Sequence, residues 1–192
     1  MQLLQDRIRR EGKVLPGNII KVDGFLNHRV DPKLCEAIAD EFAKYFDVSK
    51  ITMVLTAEAS GIALATVCAL RYGVPMVFAK KAKSDNIEGG LYKSEVFSYT
   101  YKKKNTMIVS QEWMRAEDHV LIIDDFMAKG NAMQGLIDLV DAAGATIEGI
   151  GVAVEKGFQG GGDALRASSI PYKALAVIEQ ADETGFVFRE ED

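Results

Sequence analysis

The sequence predicts an α/β fold: a mostly parallel central sheet flanked by helices. Three observations predict it. Short runs of strand length and strand composition recur, as in "ITMVLTA" (51–57), "VPMVFAK" (74–80), "HVLIIDD" (119–125) and "TIEGIGVAVEK" (146–156). Segments of helical periodicity separate most of them. Breaks such as "RYG" (71–73) and the glycine at 144 close those helical segments.

Taken in order, "DPKLCEAIADEFAKYF" (31–46) places Leu34, Cys35, Ile38 and Phe42 on one helical face, with Asp31 as N-cap and Pro32 at the first helical position. The strand of 51–57 leads into a helix from Gly61 to Leu70, and 74–80 forms the next strand. The stretch from Lys80 to Ser110 interrupts the alternation. Its polar, glycine-containing "KKAKSDNIEGGLYKSE" and strand-forming "VFSYTYKKKNTMIV" read as a long hairpin or excursion, of the kind that serves as an active-site lid. The alternation then returns with the strand 119–125, the helix "AMQGLIDLVDAAG" and the strand 146–156. Strands and helices alternating at this length imply right-handed crossovers, and near-continuous apolar strands imply a sheet covered on both faces. Ligands of such sheets bind beyond the carboxyl ends of the strands.

Composition narrows the function. With 192 residues, 48% apolar and 27% charged, the chain suits one folded domain, 1–192. A net charge of -5 disfavours a nucleic-acid partner and leaves small molecules as the expected ligands. The N-terminus "MQLLQDRIRREGKVLPG" has no signal-peptide apolar core. The most apolar segment, "ASGIALATVCAL" (59–70), is shorter than the roughly 20 residues a membrane helix needs, so no membrane partner is expected. Cys35 and Cys68 lie in apolar helical patterns outside any C-x-x-C, which fits reduced core thiols and a cytoplasmic location.

The chemistry concentrates in "VLIIDDFMAKGNAMQG" (120–135). Asp124 and Asp125 end the apolar strand, and a small-residue turn follows before a helix begins. The first N–H groups of that helix have no partner in the chain, and Ala128, Gly130 and Ala132 keep side chains out of their way. Such a loop suits a phosphate monoester. Acids beside a phosphate require something between them, and the hydroxyls of a ribose can donate to both carboxylates. A ribose 5-phosphate is therefore expected, against the plainer alternative that the acids only cap the next turn. The strand "GVAVEK" delivers Lys156 to the same edge, where its ammonium can donate to a purine carbonyl, and Phe158 follows as a stacking candidate.

These residues carry a resemblance. "VLIIDDFMAKGNA" resembles the 5-phosphoribosyl 1-pyrophosphate (PRPP) signature of type I phosphoribosyltransferases. Nearly the full length is similar to the bacterial xanthine phosphoribosyltransferases, including "LLQDRIRREGKVLPGNIIKVDGFLNHRVDP", "TAEASGIALA" and "VAVEKGFQGG". The resemblance implies the type I phosphoribosyltransferase fold, with a small N-terminal hood over 1–30 and a flexible flap over about 80–110. It implies a homodimeric purine-salvage enzyme that converts xanthine and PRPP to xanthosine 5'-monophosphate and pyrophosphate. Asp124 and Asp125 would hold the ribose hydroxyls, and Ala128, Lys129, Gly130, Asn131 and Ala132 would bind the 5'-phosphate. Ala59, Ser60 and Gly61 would form the pyrophosphate loop. Ile20, through its main chain, and the Asn27 amide would contact xanthine from the hood. Asn131 and Ala132 depart from the commoner pattern, in which hydroxyl residues are frequent, so phosphate binding would lean on backbone N–H groups.

Departing pyrophosphate calls for a hard cation, and Mg²⁺ is the expected cofactor, bound with PRPP or pyrophosphate. No residue is assigned as a metal ligand in its own right, because His28, His119 and Trp113 form no ligand cluster with the cysteines. Lys80, Lys81 and the run 102–104 are candidates for neutralising pyrophosphate. Guanine or hypoxanthine is the nearest alternative substrate, since each shares the carbonyl that Lys156 would read. A PRPP sensor without turnover is the alternative of a different class, disfavoured by the lack of a helix-turn-helix segment or basic extension.

Overall fold

A computed structural model describes residues 1–82, 90–98 and 103–190. Among these residues the strands assemble one large sheet in the order β10-β9-β8-β7-β3-β4-β6-β5. Its centre is parallel and comprises β3 (Met53–Ala57), β4 (Met76–Ala82), β7 (His119–Met127), β8 (Thr146–Lys156) and β9 (Tyr172–Asp182). Antiparallel strands close the two edges: β10 (Gly185–Phe188) beside β9, and the hairpin of β5 (Leu91–Ser98) and β6 (Lys103–Ser110) beside β4.

Strand alternation divides the core between the two faces. Leu121 and Ile123 of β7 join Leu64 and Cys68 of α3 (Gly61–Tyr72), Phe42 of α2 (Pro32–Phe42) and Leu4 and Ile8 of α1 (Gln2–Glu11). Val120 and Ile122, their neighbours in sequence, join Leu136 and Val140 of α4 (Asn131–Ala143) on the other face. Both faces are thus covered, as the apolar strands predict. None of the described helices is long and apolar enough to cross a membrane.

The helix boundaries follow local chemistry. Asp31 caps α2 by accepting from Lys33 N at 3.1 Å and Leu34 N at 3.3 Å, with Pro32 in the first turn. Gly73 and Gly144, at φ of 71° and 70°, end α3 and α4 in the left-handed region that glycine enters without a Cβ penalty.

Two features depart from the sequence reading. First, β7 does not stop at the aspartates but runs on to Met127, because β8 keeps pairing with it as far as the Met127–Glu155 rung. On its other side the ladder with β3 ends at Leu55–Ile122. Asp124 and Asp125 therefore stand within the strand, past the end of its ladder with β3. Second, regular structure extends to the N-terminal segment and past Lys156. The α1 helix is seated against the sheet, with Met1 N donating to Leu175 O at 2.6 Å. It leads into a small hairpin of β1 (Lys13–Leu15) and β2 (Ile19–Lys21), then a π-helical turn, Asp23–Asn27.

In the excursion expected as a flap, residues 83–89 and 99–102 lie outside those described. The described part is a hairpin laid over α4. Ser94 Oγ donates to Asp138 Oδ2 at 2.8 Å. A Cβ on Gly135 would come within 2.4 Å of Val96 Cγ2, so the glycine lets β5 lie close against the helix.

Candidate active site

The two aspartates are nearly enclosed, with 8% and 3% of their surface exposed at Asp124 and Asp125. Both Asp125 oxygens are engaged: Ser60 Oγ donates to Oδ1 at 2.9 Å and Asn27 Nδ2 donates to Oδ2 at 2.8 Å. Three separate elements therefore converge on one carboxylate. Asp124 Oδ1 accepts the Asp125 N–H at 3.0 Å. Burial first, then the adjacent Asp125 charge, push the Asp124 carboxyl well above its ordinary range, and the Lys81 charge opposes them. Lys80 holds its ammonium 5.9 Å from the Phe78 ring centroid. Lys102 lies outside the described residues, and only the backbone of Lys103 and Lys104 is described.

Just past Met127, residues Ala128 to Asn131 turn into α4. Gly130 sits at φ 88°, a conformation that favours glycine, and it is the residue before the helix. This loop packs on Gly161, the first residue of the short helix α5 (Gly161–Arg166). A Cβ on Gly161 would stand 2.4 Å from Ala128 O and 2.7 Å from Gly130 N, so the contact is backbone on backbone. Lys129 and Asn131 each have interaction partners. The loop ends at Ala132, inside the first turn of α4.

Ala59, Ser60 and Gly61 form the turn between β3 and α3. The Glu58–Ala59 peptide is cis. Ser60 precedes the helix but makes no capping bond, because its hydroxyl is directed to Asp125 instead. Gly61 is fixed by its surroundings: a Cβ there would lie 2.1 Å from Thr56 Oγ1 and 2.7 Å from Asp124 Oδ1. Thr56 Oγ1 is itself buried and has no hydrogen-bond partner among the described residues.

At the carboxyl end of β8, Lys156 holds its ammonium 5.5 Å from the Phe126 ring centroid. Partial burial lowers its pKa. Phe158, in the single turn Gly157–Gln159, is 39% exposed and so has a free face. Ile20 is buried in β2, where it pairs with Val14. Asp124, Asp125, Ser60, Gly61 and Asn27 are thus in direct contact or adjacent. Lys156 and Ala128–Ala132 flank them on neighbouring strand ends. Phe126, Thr56 and the glycine support of the Ala128–Asn131 turn are additions that the sequence reading missed. Of these, only Phe126 had a visible signal, as the residue directly after the acid pair.

A model of the phosphoribosyl transferase domain matches residues 29–174. The chain belongs to the phosphoribosyltransferase family. Xanthine phosphoribosyltransferase of Bifidobacterium longum (strain NCC 2705) is 53% identical over 187 residues, covering 96% of this chain and 97% of that one. Its counterpart in Lachnoclostridium phytofermentans is 50% identical, covering 98% of each chain. Among solved structures, adenine phosphoribosyltransferase from Trypanosoma brucei, in complex with AMP, pyrophosphate and ribose-5-phosphate, superposes with a TM-score of 0.73 at 25% identity, covering 91% of this chain and 79% of that one. The enzyme from Giardia lamblia, complexed with 9-deazaadenine, gives 0.75 at 22% identity, covering 92% of this chain and 98% of that one. This phosphoribosyltransferase thus has the type I fold expected from its sequence.

Proposed function

We propose that this phosphoribosyltransferase joins xanthine to the phosphoribosyl group of PRPP, releasing pyrophosphate and forming xanthosine 5'-monophosphate. The observation that carries the reading is the enclosed Asp124–Asp125 pair, bridged by Ser60 to one loop and followed directly by the Gly130 loop. Choice of xanthine as the base rests on the relatives of about half identity, all but full length, that bear that name.

In this reading the backbone N–H groups of Ala128 to Ala132 grip the 5'-phosphate, helped by the N-terminal end of α4. Ribose hydroxyls donate to Asp124 and Asp125, which fixes C1 between leaving group and base. The C1–O bond to pyrophosphate breaks as a bond from a ring nitrogen of the base forms, and the proton on that nitrogen passes to the departing pyrophosphate or to water. Positive charge that develops on the sugar ring is stabilised by the two carboxylates more than the ground state is. Lys156 donates to a carbonyl of the base, with Ile20 and Asn27 on the hood side and Phe158 against the ring face. The Ala59–Gly61 turn offers N–H groups to the pyrophosphate.

Mg²⁺ fits this donor set: two adjacent carboxylates with substrate oxygens, and no cage of three or more His, Cys, Asp or Glu side chains among the described residues. Asp124 and Asp125 would hold the ion beside the substrate, where it would supply neutralisation of the charge on departing pyrophosphate. We place the enzyme in cytoplasmic purine salvage, as a homodimer with a flap over about 80–110. Two buried, unbridged cysteines support a reducing compartment, and burial pushes their pKa values up to about 11 at Cys35 and about 12 at Cys68, which keeps them unreactive.

The test is pyrophosphate release by purified protein with Mg²⁺ and PRPP, supplied with xanthine, guanine, hypoxanthine or adenine in separate reactions. Highest kcat/KM is expected with xanthine. A preference for another base would keep the mechanism and replace the substrate; binding of PRPP without release would make the protein a sensor.

A further inference from the structure

We infer that Glu155, Arg166 and Tyr172 form a positioning cluster that holds the 5'-phosphate loop in its binding shape from behind. The inference rests on the reading of Ala128–Ala132 as a phosphate loop. Glu155 is fully buried, and its carboxylate is saturated by specific donors. Arg166 Nη1 donates to Oε1 at 3.0 Å, Arg166 Nη2 to Oε2 at 2.5 Å, and the Tyr172 hydroxyl to Oε2 at 2.8 Å.

Backbone packing connects this carboxylate to the loop. A Cβ on Gly162 would stand 2.1 Å from Glu155 Oε1, so the start of α5 lies directly on the carboxylate. The preceding residue, Gly161, lies on the backbone of Ala128 to Gly130. A displacement of α5 toward or away from Glu155 would therefore press on or release the backbone of the loop read as the phosphate site. The outer side of α5 is tied as well: Arg166 Nη1 donates to Asp163 Oδ1 at 2.8 Å, and Arg189 Nη1 donates to the same oxygen at 3.2 Å while its Nε bonds Glu179.

The chemistry favours placement over stability. A buried ion pair is often no better for stability than apolar groups of equal volume, because desolvation offsets attraction, but a guanidinium fork on a carboxylate fixes distance and angle together. Glu155, Arg166 and Tyr172 touch no substrate in the proposed reaction; they act through glycine backbone on residues that do.

The double variant Glu155→Gln/Arg166→Met tests this, since it removes both charges without stranding either. Expected are a thermal midpoint within about 3 °C of wild type, calorimetric affinity for ribose 5-phosphate weakened about tenfold, and KM for PRPP raised while KM for xanthine is unchanged. Tyr172→Phe should move the same quantities in the same direction by less, and Arg166→Lys, which keeps charge but not the fork, should recover only part of the affinity. Ribose 5-phosphate affinity within about twofold of wild type in the folded double variant would overturn the inference, as would an equal rise of both KM values. Should the double variant not fold, undiminished affinity in Tyr172→Phe would overturn it and a measurable loss would sustain it. Wild-type protein that binds ribose 5-phosphate yet turns over no base would retire the proposed function, leaving the binding data to decide this inference; wild-type protein that does not bind it would overturn the inference outright.

Discussion

Asn27 Nδ2 donates to Asp125 Oδ2 at 2.8 Å, fastening the N-terminal turn to the central sheet. With Ser60 Oγ on the other oxygen, each oxygen of the Asp125 carboxylate already accepts from a protein donor. In the proposed function, ribose hydroxyls would compete with the Asn27 amide for Oδ2, and an amide released from it would be available to the base. Sugar phosphate and base should bind cooperatively. Calorimetric titration of xanthine is expected to show at least about fivefold tighter binding with ribose 5-phosphate present. The enhancement should vanish in Asn27→Ala; coupling that survives this change would exclude the exchange.

Asp125→Ala removes the acceptor shared by Asn27 and Ser60. We expect kcat to fall by about 100-fold or more, with the far-ultraviolet spectrum of the folded protein retained. Near-normal turnover would remove the ribose clamp from the mechanism.

Asp124→Asn should stabilise the protein while it impairs catalysis. Burial raises the folded pKa above the ordinary value of 3.8, so the folded state binds the proton more tightly than the unfolded chain. The associated stability is fully present below 3.8 and is lost as pH rises through the folded pKa. Asparagine keeps the Oδ1 acceptor for the Asp125 N–H and carries no charge to desolvate. Thermal midpoints at neutral pH are expected to rise by about 2–4 °C for each kcal/mol relieved, and the difference from wild type should shrink in acid. A midpoint that falls at neutral pH would contradict the burial argument.

Lys156→Ala should raise KM for the base by about tenfold or more, as for loss of a hydrogen bond from a charged donor, with far less effect on KM for PRPP. Because partial burial lowers the lysine pKa, the ammonium is lost below 10.5 as pH rises. The variant-to-wild-type ratio of KM should therefore decline on the alkaline side before an ordinary lysine would titrate. A ratio constant to that pH would separate base recognition from the ammonium.

Gly61→Ala is expected to disrupt the same corner, since the added methyl would lie 2.1 Å from the buried Thr56 hydroxyl and 2.7 Å from Asp124 Oδ1. Overpacking of this kind costs about 1–3 kcal/mol. Urea unfolding midpoints would report it.

What the sequence revealed was chiefly local. The Asp31 cap, the glycine stops at 73 and 144 and the apolar runs of β3, β7 and β8 depend on neighbours within a few residues; the cap, the stops and β8 stand where the pattern placed them, and β3 and β7 differ from it only at their ends. The α1 helix escaped notice because much of its surface is charged, and its Leu4 and Ile8 find their partners only across the sheet. The strands β9 and β10 form beyond the last motif, and β9 enters the sheet through long-range pairing with β8. In the site, Asp124, Asp125 and the small-residue turn were legible as a motif. The bond from Asn27 spans 98 residues of chain, and the service of Glu155 to Arg166 and Tyr172 depends on which way a strand side chain faces once register is set.

The Met127–Glu155 rung of the ladder between β7 and β8 is the last residue pair before two loops with different duties. One strand continues into the residues assigned to the phosphate end of the nucleotide, and the other continues into the lysine assigned to its purine end. In the proposed function a nucleotide would be gauged between jaws mounted on a common hydrogen-bonded frame, whose opening would be set by strand register. Lengthening either loop would loosen one grip, whereas a two-residue slip between the strands would keep every side chain on its proper face and still leave the jaws the wrong distance apart.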